Sequence, residues 1–183
     1  MGNIGKNAIE VLRWLSAFHK DISTLLGQID SSMKENKGCE SPWGSTCWGG
    51  SSASFQRPQG WMPRQLFRLY ALVSKGEEEF GPHKRWAFFI VYLEPADLSE
   101  PVALWGVMIL RKADKPSVFQ NWLLTEEGPA FLKTLSAVTW TTPGELPEEL
   151  EAMHYQSCPL EELNSAAEVN QRIVEPLWTK LNE

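Results

Sequence analysis

QLFRLYALVSKGEEEFGPHKRWAFFIVYLEPADLSEPVALWGVMILR, residues 65–111, decides the fold class. Three runs within it, 65–73, 85–94 and 102–111, are dense in aromatic and aliphatic side chains. Between them stand SKGEEEFGPHK and PADLSEP, whose Gly, Pro, Ser and Asp content marks turns. Short connections between extended runs spell an antiparallel meander. The second and third runs are apolar at both parities, which predicts central strands covered on both faces. Gly106 lies inside the third run and predicts a bulge or the close approach of a neighbour.

The cover must come from helices on either side. Upstream, Ile4, Ala8, Val11, Leu15, Phe18, Ile22, Leu25 and Ile29 recur at alternate spacings of four and three, a heptad seam nearly four repeats long. Leu12, Leu26 and Met33 widen the seam, while Lys6, Arg13, Lys20 and Lys34 form a basic ridge opposite. Residues 4–35 are therefore a long amphipathic helix. Its stripe packs within the chain or against a second copy. Gly27 falls on its outer face and weakens it by about 1 kcal/mol relative to Ala. His19, on the flank, reads as a half-buried side chain rather than a ligand.

Downstream, residues 117–135 read as a middle helix in two pieces, the second opened by Pro129. SAVTWTT (136–142) reads as a strand, GELPEELEA (144–152) as an acidic turn or short helix, and MHYQSCPL (153–160) as a weaker strand. The last helix starts near Asn164 or Ser165, with Ser165 and Glu168 at capping-box spacing. Val169, Ile173, Leu177 and Leu181 make its buried stripe, and Pro176 predicts a kink or an end near Glu175. The expected architecture is one α+β domain over 1–183. It has an antiparallel sheet of about five strands with N-terminal, middle and C-terminal helices packed on it, in the order α-βββ-α-ββ-α.

Between the first helix and the meander, residues 36–64 are rich in Gly, Ser and Pro and show no period. A structureless connection of that length is uncommon inside a compact domain. Trp43, Trp48 and Trp61 argue against a plain linker, which carries few aromatics. They are the candidate binding residues, with Arg57 and Arg64 available for cation–π or anion contacts. The competing reading is a loop that wraps the body and buries its rings.

Composition narrows the function class. A net charge of −6 and the lack of a long basic run argue against nucleic-acid binding. No apolar run reaches the roughly 20 residues of a membrane span. The first residues carry neither a signal-peptide pattern nor, with Lys6 in the place of Ser or Thr, a myristoylation signal. Three cysteines do not make a disulfide framework. A cytoplasmic protein is expected.

The search for chemistry finds little. There is no Gly-Lys-Ser/Thr and no GxGxxG, so no phosphate loop and no cofactor are expected. Cys39, Cys47, His154 and Cys158 could converge on zinc, but the Cys-x-x-Cys knuckle is missing and no metal site is assigned. Cys47 with His83, or Cys158 with His154, are the conceivable thiol–base pairs. If His154 and Cys158 share a strand they face the same way but lie about 13 Å apart, too far for a dyad. Glu94, Asp97 and Glu100 beside Arg111 and Lys112 fall short of a nuclease pattern, because the strand ending in LRK carries no acid. The acid runs at 77–79 and 145–151 read as solvated faces. No catalytic residue is assigned, and the sequence points away from an enzyme. The expectation is a non-enzymatic interaction or regulatory module, dimeric or bound to a protein partner through the 4–35 helix. The alternative is a small-ligand sensor or enzyme with a pocket under the 36–64 segment.

Overall fold

Four long strands take up the apolar runs: β3 (Gln65–Leu72), β4 (His83–Tyr92), β5 (Val102–Asp114) and β6 (Leu150–Pro159). They pair antiparallel in chain order. The structure, a computed structural model, describes residues 4–41, 46–48, 65–72, 82–93, 100–114, 139–144 and 146–183. The fold is α+β, as the meander requires.

Strand alternation sorts the apolar residues onto two faces. Leu66, Tyr70, Phe89, Val91, Trp105 and Val107 belong to one buried cluster. Phe67, Leu69, Trp86, Phe88, Ile90 and Met108 belong to the other. β4 from Trp86 onward is buried at every position, so it is covered on both faces as its composition predicts. Gly106 is a close approach: it faces Phe88 on β4 and Tyr155 on β6. A Cβ there would lie 2.5 Å from the Phe88 ring.

The expected strand count and order need correction. Two short strands, β1 (Cys39–Glu40) and β2 (Thr46–Trp48), both pair with β3, at opposite ends of it. Part of the 36–64 segment is therefore strand. The reason is the edge of β3, whose backbone N–H and C=O groups need partners. The fifth strand expected at 136–142 is reduced, among the described residues, to a bridge of Thr141 with Tyr155 on the free edge of β6. The middle helix expected at 117–135 lies outside the described residues.

Helix α1 (Ile4–Ser31) continues through a wide turn at Ser32–Asn36 and stops at Gly38, whose φ of +64° suits glycine. From Ile22 onward it lies on the first face, burying Ile22, Leu25, Leu26, Ile29 and Met33. Asp30 anchors it there. Arg68 Nε donates to both Asp30 carboxylate oxygens at 3.0 Å, and Tyr70 Oη donates to Oδ1 at 2.7 Å.

The last helical run shares that face. Ser165 caps α2 (Ala166–Val169) as its spacing from Glu168 predicts: its Oγ accepts from Glu168 N at 3.2 Å, while the returning Glu168 carboxylate accepts from Asn164 N at 3.0 Å, one residue before the cap. A wide turn at Asn170–Val174 leads into α3 (Glu175–Asn182). The helix does not end near Glu175. The wide turn just before Pro176 is the irregularity by which the run continues past a residue with no N–H to donate. Val169, Ile173, Leu177 and Leu181 are buried as their spacing predicts. Lys37 ties the two helical runs, 2.9 Å from Glu175 and over the Trp178 ring.

Candidate functional site

The heptad seam of α1 divides half way. Ile22, Leu25 and Ile29 are 4%, 8% and 0% exposed, whereas Ile9, Val11, Leu12 and Trp14 are 53% to 65% exposed. Leu15 and Phe18 are half-buried at the transition. One helix thus carries a docked half and a free half with the same pattern.

The free half is also broader in its apolar coverage. At about 100° per residue, the docked side chains from Leu25 round to Leu26 sweep about 100°, a normal stripe for a helix on a sheet. From Trp14 round to Ile9 the free half sweeps about 220°. A helix so apolar around its circumference is normally buried. Trp14 and Phe18 stack at 5.3 Å with their rings 7° from parallel, which makes a flat apolar step at the junction.

Beside that step runs a groove of about 590 Å³. Trp14, Phe18, Ile22 and Leu25 line its helix side, and Pro101, Leu160 and Leu163 its far side. The far side is built by the start of β5 and by a short 3-10 turn, Leu160–Glu162, held by a hydrogen bond from Leu160 N to Pro101 O. Asp21, Glu100 and Glu161 also line the groove and make its polar fringe acidic. Nothing matches this chain among family models, curated proteins or solved structures. The surface therefore has to be read from its own chemistry: apolar contact, flat aromatic area and a carboxylate fringe.

Of the candidate site residues expected from sequence, Glu100 lines this groove, and the others among the described residues do not. Trp48 lies on β2 opposite Gln65. Trp43, Trp61, Arg57 and Arg64 lie outside the described residues, and so do Glu94 and Asp97. Cys39 pairs with Leu72 at one end of the sheet and Cys158 with Ala103 at the other, because Ala103 is level with Leu66 through Val91. They do not converge, and among the described residues no group of three or more His, Cys, Asp or Glu could hold a metal.

The thiol–base pairs do not form either. His154 and Cys158 share β6 and one face of it, about 13 Å apart by strand rise. Burial, with Glu162 nearby, pushes the Cys158 thiol up to about 11, away from a reactive thiolate. Burial lowers the pKa of His154, whose Nδ1 lies 3.2 Å from Thr142 Oγ1. Cys47 is level with Leu66 and Val91, eight residues along β4 from His83, or about 26 Å.

The seam alone hid the candidate surface, because a regular heptad looks the same docked or free. The available signal was the excess: Ile9 and Trp14 lie off the seam, and only in the first half.

Proposed function

We propose that this protein is a non-enzymatic interaction module that self-associates through the first half of α1. The observation that carries this reading is the set Ile9, Val11, Leu12 and Trp14, each more than half exposed on a helix whose other half is buried. Contiguous apolar surface of this kind marks an interaction site, and it costs free energy while it stays wet. The Trp-rich set 43, 48 and 61 is not needed for this reading. Both the pattern and the exposure lie on the helix.

Sedimentation or light scattering of the whole chain at micromolar concentration tests it. A dimer is expected, and Val11→Asp with Trp14→Asp should give a folded monomer, because both side chains lie on the free half. Charge at Ile22 is a poorer probe, since that residue is 4% exposed within its own chain and the change attacks the fold. A wild-type protein that stays monomeric at those concentrations removes the self-association reading.

A further inference from the structure

The groove beside Phe18 has an acidic fringe, and the free half of the same helix carries exposed Arg13 and Lys20 against one exposed acid, Glu10. The groove is lined by apolar side chains of both walls and by Asp21, Glu100 and Glu161. Among the described residues none of these three enters an ion pair. The free half offers apolar side chains flanked by Arg13 and Lys20, both exposed. Resting on the self-association reading, we propose that the groove receives the free half of α1 from a second copy, and that the two helices run antiparallel and cross at Ala17.

Four features lead to that arrangement. The groove opens on the side of α1 that carries Trp14, Phe18, Asp21 and Gln28, so a visiting helix lies alongside α1 rather than across it. It also lies over the wall where Pro101, Leu160 and Leu163 offer apolar contact. Val11 and Leu15 of the visitor continue the very stripe that Ile22 and Leu25 use against the sheet, and they meet this wall. Ala17, on the contact side and small, lets the two backbones approach.

Register follows from symmetry. A two-fold pair is isologous, so every contact occurs twice. Arg13 and Asp21 are each four residues from Ala17, on opposite sides. An antiparallel crossing at Ala17 therefore sets Arg13 of each copy level with Asp21 of the other, and Trp14 level with Lys20. A parallel pair would instead set Arg13 against Arg13 and Asp21 against Asp21. Within one chain the two are eight residues apart, about 12 Å along the helix, and do not pair.

Charge exchange tests the proposal in the full-length chain. Arg13→Asp and Asp21→Arg, made singly, should each weaken the dimer by about tenfold or more, because each puts like charges together twice. The double variant Arg13→Asp/Asp21→Arg should recover dimerisation to within a few-fold of wild type. All three should keep the wild-type circular dichroism, both positions being exposed. A wild-type dimer that is indifferent to the single changes, or a double variant weaker than either single, overturns the antiparallel groove-filling pair and leaves self-association standing. A monomeric wild-type chain overturns both.

Discussion

A methyl group on Gly106 would sit 2.2 Å from the carbonyl oxygen of His154 and 2.5 Å from a Phe88 ring carbon. The oxygen belongs to the backbone of a paired strand and cannot step aside without breaking the β5–β6 ladder. Gly106→Ala should therefore destabilise by about 3 kcal/mol, read from a shift of the urea midpoint at unchanged slope. Gly27 is the opposite case. It lies on the exposed face of α1, where an added methyl group would meet no neighbouring element within 4 Å. Gly27→Ala should stabilise by about 0.5–1 kcal/mol. Tyr70 makes a pH prediction. Burial first, and the Asp30 carboxylate second, raise its pKa well above the ordinary 10.0, and burial alone raises Tyr92. The folded chain keeps protons that the unfolded chain releases above that value, so stability is full below pH 10 and falls as pH rises past it. Tyr70→Phe should reduce that alkaline loss, while costing about 1 kcal/mol at neutral pH for the bond to Asp30. Denaturation on both sides of pH 10 separates the two effects.

At the scale of elements, α1 is two environments on one helix. Its second half is held by Ile29 and Met33, both 0% exposed, and by the Asp30–Arg68–Tyr70 cluster. Its first half has no comparable anchor on its own chain among the described residues. A helix segment without packing is marginal in water, because helical stability comes mainly from the buried face. Hydrogen exchange should follow that division. In the proposed dimer the amides of both halves should be protected. On dilution to monomer, residues 5–15 should exchange many times faster, while those from 22 to 36 keep their protection. Equal protection of the two halves in a monomer would show that the first half is held by its own chain. The C-terminal run shows another element-scale compromise. Pro176 cannot donate to the helix, and the wide turn at Asn170–Val174 lets the run continue with Leu177 and Leu181 still in the core.

At the scale of the whole molecule, the proposed self-association would bind the native state and add to its stability by mass action. The thermal midpoint of the wild-type chain should therefore rise with protein concentration, and that of Val11→Asp/Trp14→Asp should not. A midpoint independent of concentration over roughly a hundredfold range counts against a native-state dimer. The sheet is protected from edge-to-edge association by other means. β1 and β2 cover one edge and the Thr141 bridge sits on the other. Among the described residues the exposed large hydrophobic side chains, Ile9, Val11, Leu12 and Trp14, all lie on the free helix half.

Much of this was legible in the chain itself. The meander was, because aromatic and β-branched apolar runs of strand length, bounded by turn residues, favour sheet over helix, and two-sided apolarity marks a strand covered on both faces. The cap of Ser165 on Glu168 and the stripe from Val169 to Leu181 were local patterns read over a few helical turns, and local patterns survive folding. The tertiary structure alone decided where the body ends along α1. A heptad seam reports that a face wants cover and says nothing of how far the sheet extends beneath it. It also decided that Cys39, Cys158 and His154 stay apart, and that the edge of β3 recruits Cys39–Glu40 and Thr46–Trp48, since both depend on which residues the strand register brings level. Periodicity is a property of neighbours along the chain. Docking, convergence and edge pairing are properties of distances across it, and those exist only once the sheet has formed.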